Sequence, residues 1–131
     1  DVTSEMGIKA STTYQATWVD YDNDGDLDLL TNARLYRNNN STNHWLKVRL
    51  LGAGILNQAP AGTIARIELK GKTLLRQIGG GTGEGNQNDP TLHFGLGDHT
   101  GEVKVQILWT NGTVQTVASE VDKTITIKHT R

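Results

Sequence analysis

The chain reads as all-β, a sandwich of two antiparallel sheets, and three observations lead there. Almost every patterned segment alternates apolar and polar residues with period two. No stretch of ten or more residues keeps the i, i+3, i+4, i+7 repeat of an amphipathic helix, because Gly and Asn interrupt the candidates. Seven or eight short strands recur at regular spacing with turn residues between them, which favours a two-layer sandwich with a jelly-roll-like connection over an open barrel.

The elements follow in order. Tyr14 and Trp18 share one face of a first strand. An acidic run over residues 20–28 then leads into the alternation Leu27-Asp28-Leu29-Leu30, typical of a chain entering a sheet. Over residues 44–51, Leu46, Val48 and Leu50 fall on one face and Trp45, Lys47 and Arg49 on the other, the pattern of a half-buried antiparallel strand. Residues 63–69 put Ala65, Ile67 and Leu69 inward, and Lys70-Gly71-Lys72 turns the chain into a strand over 73–78. The stretch 79–90, G-G-G-T-G-E-G-N-Q-N-D-P, is too rich in glycine and polar groups to be other than loop. Val103, Val105, Ile107 and Trp109 form another apolar face. Asn111-Gly112 follows and predicts a type I′ hairpin, because both residue types tolerate positive φ. Strands around 113–117 and through Ile125 and Ile127 complete the set.

The acidic run, D-Y-D-N-D-G-D-L-D, carries five carboxylates on alternate positions. Two carboxylates ~4 Å apart repel by about 4 kcal/mol at an effective dielectric near 20, so five on one tight loop oppose folding unless a cation gathers them. Asp is short and its oxygens are hard donors, which suits calcium with its roughly six to eight oxygen ligands; magnesium prefers few carboxylates and retained waters. An EF-hand would need a carboxylate at the twelfth position, which counted from Asp20 is Thr31. The closing ligand is therefore expected at the ninth, with Asp20, Asp22, Asp24 and Asp28 ligating through their side chains and Asp26 through its backbone carbonyl.

At 131 residues the chain predicts a single domain able to bury about two-thirds of its unfolded surface. With no cysteine, disulfides, thiolate zinc and thiol catalysis are excluded. The net charge of −1 and scattered Lys and Arg argue against nucleic acid as a partner. No apolar run approaches the ~20 residues of a membrane span. The chain opens at Asp1 with neither an initiating Met nor a signal peptide, so a mature or excised fragment of something longer is expected.

Two motifs together resemble known families. The run A-T-W-V-D-Y-D-N-D-G-D-L-D-L over residues 16–29, with R-L-Y-R-N-N at 34–39, resembles the FG-GAP or VCBS calcium repeat of integrin-type β-propellers. The run from N-H-W-L-K-V at 43–48 through D-P-T-L-H-F-G-L-G at 89–97 to I-L-W at 107–109 is similar to the ASPIC/UnbV domain that follows such repeats in secreted bacterial proteins. The resemblance implies an extracellular calcium protein and places the ligands on Asp20, Asp22, Asp24, Asp26 and Asp28. One repeat cannot close a propeller, so residues 1–40 are expected to be integrated with 41–131 in one sandwich, their strands adding to a sheet and the metal pinning the long loop.

Enzymatic readings are weak. The glycine-rich loop has fragments of G-x-G-x-x-G but no helix pattern or GK[ST] after it. His44, His93, His99 and His129 show no metal-ligand pairing, and Glu84 with Asp89 would be an acid/base pair lacking a cleft. A non-catalytic carbohydrate-binding module is expected instead, stabilised by calcium, appended to a larger secreted enzyme and recognising β-glucan or xyloglucan. Sugar rings lay apolar C–H faces on aromatic rings while their hydroxyls need amide and charged partners. Trp45 is the first candidate platform; Tyr14 and Trp18 lie roughly 13 Å apart by strand rise. Trp109 is a further candidate, though its register with Val105 and Ile107 favours the core. Arg49, Gln87 and Asn88 are candidate hydrogen-bonding groups. The rival reading is an extracellular adhesion or propeller-capping domain that binds a protein.

Overall fold

The computed structural model describes residues 1–9, 15–31, 34–39, 42–53, 61–81, 83 and 85–130. Among them are ten strands and no helix, hence none long and apolar enough to cross a membrane. The chain divides into two compact units, Asp1–Ser41 with Gly81–Asp89, and Thr42–Gly80 with Pro90–Arg131.

The first unit holds a three-stranded antiparallel sheet in the order β1 (Ala16–Val19), β2 (Asp28–Thr31), β3 (Arg34–Tyr36). These strands pair only with one another among the described residues, whereas the sequence predicts that they add to a sheet of the sandwich. Asp28, the first residue of β2, accepts the Tyr21 N–H on one carboxylate oxygen and the Asn38 N–H on the other, so it ties the chain leaving β1 to the chain leaving β3. The polar stretch 85–88 is fastened to β1 by side chains: Asn86 Nδ2 donates to the Ala16 carbonyl, and Asn88 Oδ1 accepts both Thr17 Oγ1 and the Trp18 N–H.

The second unit is the sandwich. One sheet has the order β10 (Lys123–Lys128), β4 (His44–Leu51), β7 (Leu92–Gly97), and the other β6 (Lys72–Gln77), β5 (Ile64–Leu69), β8 (Val103–Leu108), β9 (Val114–Ser119). The two inner faces meet in one core. Leu46, Val48, Leu50, Leu92, Phe94, Leu96 and Ile127 come from the first sheet, and Ala65, Ile67, Val103, Val105 and Ile107 from the second. The period-two alternation thus translates directly into burial, each inward side chain gaining on the order of 1.5–3 kcal/mol when fully removed from water.

Two details differ from expectation. The β4–β10 pairing is parallel, Lys123↔Leu46 through Lys128↔Leu51, where antiparallel neighbours are predicted throughout. The short link from β9 crosses to the other sheet, and Asp122, at φ 57, then docks on Trp45 and starts β10 beside the start of β4. The type I′ turn is also at another hairpin. Lys70 and Gly71 both have positive φ (50 and 76) between the paired Leu69 and Lys72. At 109–112 only Gly112 is left-handed (φ 87). Its N–H bonds the Trp109 carbonyl, and Asn111 accepts the Thr113 N–H through its side chain, giving the three-residue loop with a terminal αL residue.

Candidate functional site

The acidic loop folds because two of its residues adopt left-handed backbone, Asn23 at φ 61 and Gly25 at φ 96, which turns the chain sharply enough to point alternate side chains inward. Asp20 Oδ2 accepts the Gly25 N–H at 3.0 Å across the turn, and Asp24 Oδ1 accepts the Asp26 N–H at 3.0 Å. Asp28 is fully buried and Asp20 is only 8 % exposed. Carboxylate oxygens of Asp20, Asp22 and Asp28 lie within 4.8 Å of one another. Oδ1 of Asp20 and Oδ2 of Asp26 are sealed from solvent.

Of the four residues predicted to ligate through their side chains, the structure brings together the carboxylates of Asp20, Asp22 and Asp28. Asp24 is engaged by Arg37: its Oδ2 takes the Arg37 Nη2 at 3.2 Å, while Arg37 Nε pairs with Asp22 Oδ2 at 2.8 Å. The Asp26 N–H, the largest influence, holds the Asp24 carboxyl below its usual range against the opposing effect of desolvation, and Arg37 adds to the lowering. The hydrogen bond to Asp24 and the charge of Asp22 keep Arg37 above its ordinary value. Sequence reasoning missed Arg37 and Asn38 as parts of the site. The signal was available, because Leu29↔Tyr36 pairing sets the residues that follow Tyr36 across from Asp28 at the loop's mouth. The donor set consists of hard oxygens, two of its carboxylates are buried, and the hydrogen-bond partners of Asp28 are backbone N–H groups with no cationic side chain paired to it among the described residues. Such a set fits a hard divalent cation, with Asp20, Asp22 and Asp28 as its holders.

The sugar-face candidates separate by unit. Trp18 (50 % exposed), Gln87 and Asn88 belong to the first, where Asn88 Oδ1 and the Gln87 carbonyl are engaged by Thr17 and Asn88 also by the Trp18 N–H. Tyr14 lies outside the described residues. Trp45 and Arg49 belong to the second, on the outer face of β4. Trp45 is partly buried and stands across from Gly95, beside which a Cβ would meet nothing within 4 Å. Arg49 is exposed beside Thr126. Lys47 is not a solvated neighbour as its place in the alternation predicts: it is 6 % exposed, with Nζ over the Trp45 ring at 5.4 Å from its centroid.

Trp109 is a correction. It is 3 % exposed, packed in the core with its ring edge-to-face on His129 at 4.7 Å, and its Nε1 donates to Gln115 Oε1 at 3.2 Å. It has no surface to offer a sugar. A shallow groove of about 420 Å³ on the outer face of the four-stranded sheet is lined by Arg66, Glu68, Lys104, Gln106 and Thr116 among others, with no Trp or Tyr in its walls.

No curated protein matches the chain. The family described as ASPIC and UnbV matches residues 55–131, a span that takes in β5 to β10 and leaves the acidic loop outside it. Covering more than half of the sequence, that match shows that the chain belongs to the ASPIC and UnbV family.

Proposed function

We propose that the chain is a non-catalytic, calcium-stabilised carbohydrate-binding module that works outside the cell, carried on a larger secreted enzyme and recognising polysaccharide of the β-glucan or xyloglucan class. The observation that carries the sugar reading is Trp45. Its indole is partly open, held on a rigid central strand, backed by the Lys47 ammonium and flanked by the open space over Gly95. A sugar ring's C–H face can lie on such an indole while the Arg49 guanidinium and the hydroxyls of Thr124 and Thr126 meet its polar edge.

In this reading residues 16–39 form a calcium repeat of the FG-GAP type. Asp20, Asp22 and Asp28 hold the ion, which neutralises carboxylates that are costly to bury as a group. Calcium is plentiful outside cells, where sites of modest affinity fill.

Affinity electrophoresis on β-glucan, xyloglucan and xylan tests the sugar reading: retardation by wild type that Trp45→Ala abolishes is expected, and no retardation on any glycan rejects it. Calcium titration by calorimetry tests the metal reading, and absence of a binding heat rejects that half alone.

A second reading is a protein-interaction domain. Leu108 and Val114, cross-strand neighbours on the outer face of the four-stranded sheet, are both exposed, as is Leu75 on the same face. Leu108→Lys with Val114→Lys would abolish partner binding on that reading and leave glycan retardation untouched on the first.

A further inference from the structure

We infer, on the footing of the calcium reading above, that Arg37 is the built-in counter-cation of the acidic loop: it holds the loop together when no metal is bound and lowers its affinity for calcium. One guanidinium ties two alternate carboxylates, Nε to Asp22 Oδ2 at 2.8 Å and Nη2 to Asp24 Oδ2 at 3.2 Å. Asp22 is the shared member, because it also stands with Asp20 and Asp28 in the carboxylate triad. A divalent ion arriving at the triad meets a ligand whose charge is already partly neutralised. Arg37 and the ion therefore compete for Asp22, and each weakens the other's hold.

The backbone sets Arg37 in this place. The Leu29↔Tyr36 pairing carries the chain to the mouth of the loop, and the Asn38 N–H is fixed on Asp28 Oδ1 at 2.8 Å, so the residue between them is anchored on both sides. Arg37 pairs with Asp22 and Asp24, but not with the fully buried Asp28. Five carboxylates against one guanidinium leave four negative charges on the loop, so Arg37 lessens the repulsion without removing it. It is a partial substitute for a metal, and its own side chain is half exposed.

Coupling between two cations on one ligand set is reciprocal. The factor by which removing Arg37 raises calcium affinity equals the factor by which calcium reduces the contribution of Arg37 to stability. The test uses wild type, Arg37→Gln and Arg37→Lys, each titrated with calcium by calorimetry and each unfolded in urea, once with EDTA and once with saturating calcium. The expected result for Arg37→Gln is an affinity up to about fivefold above wild type, the upper end for the one surface ion pair, at Asp22, that the ion shares. Its unfolding midpoint should lie below wild type in EDTA, with the gap narrowing in calcium. Arg37→Lys, which keeps the charge but cannot fork across both carboxylates, should fall between the two and keeps the comparison open if the Gln variant folds poorly. Equal or weaker calcium binding by both variants, with wild type binding normally, overturns the role of Arg37 and leaves the metal site standing. No binding heat from wild type overturns both.

Discussion

Asp122 grips Trp45 at both ends of its backbone. The Asp122 N–H donates to the Trp45 carbonyl at 2.7 Å, and the Asp122 carboxylate accepts the Trp45 N–H at 3.2 Å while its other oxygen lies 2.7 Å from His44 Nδ1. The residue just before β10 thus also fixes the strand bearing the candidate sugar platform. Its φ of 57 is a conformation that Asp and Asn tolerate better than other non-glycine residues. Replacing Asp122 by Ala removes two hydrogen bonds and leaves the left-handed strain, for a combined loss of about 2–3 kcal/mol. Asp122→Asn, which keeps the turn preference and an acceptor, should lose less than half of that. Urea unfolding of the pair checks the order, and equal losses would show that the turn preference and amide oxygen of Asn do not stand in for the carboxylate.

The two outer-face and core tryptophans should respond in opposite ways. Trp109→Ala removes a ring buried against His129 and should lower stability by about 3–5 kcal/mol while leaving glycan retardation per folded molecule unchanged. Trp45→Ala should abolish retardation at a smaller stability loss, because its ring is partly exposed already. Paired unfolding and affinity-gel measurements separate the two.

How far the sequence spoke for itself differs between the units. Leu46, Val48, Leu50, Ala65, Ile67, Val103, Val105 and Ile107 are buried as the alternation predicts, because in a sandwich the pleat alone decides which side chains meet. What the pattern could not carry were relations set by distant residues. Lys47 has the period of a solvated side chain yet is buried, with its ammonium over the Trp45 ring. The parallel entry of β10 depends on Asp122 reaching Trp45, 77 residues apart in sequence. In the acidic loop the five Asp positions were legible from spacing. The pairing of Asp22 and Asp24 with Arg37 was not, because it rests on the register of β3 against β2, which brings a residue beyond the acidic run to the loop.

Hairpin geometry gives a third test. Gly71 stands at φ 76 and Gly112 at φ 87, but the Lys70-Gly71 turn needs two left-handed residues where the other needs one. Lys70→Asn should therefore ease the backbone of its turn, whereas Gly71→Ala and Gly112→Ala should each cost about 1 kcal/mol through the left-handed Cβ penalty. Thermal melts of the three variants check this. Stabilisation by Gly71→Ala would contradict the turn assignment.

Acid should destabilise the protein through three carboxylates. Asp98 is held below its usual range by the hydrogen bond and charge of Lys70, Glu120 by those of Lys123, and Asp24 by the Asp26 N–H and then Arg37. In each case the folded-state value lies below the unfolded one. The contribution is therefore fully present above the ordinary carboxylate range and is lost as pH falls through the depressed folded value. Stability from these groups should be flat from neutral pH down to about pH 5 and decline below it, more gently in a Lys70→Ala, Lys123→Ala double variant, because two of the three groups then titrate alike in both states. Urea midpoints at pH steps between 7 and 2 in EDTA give the curve. A double variant declining as steeply as wild type would mean that the ion pairs at Asp98 and Glu120 are too well screened by water to matter, and would leave the loop carboxylates as the source of acid sensitivity.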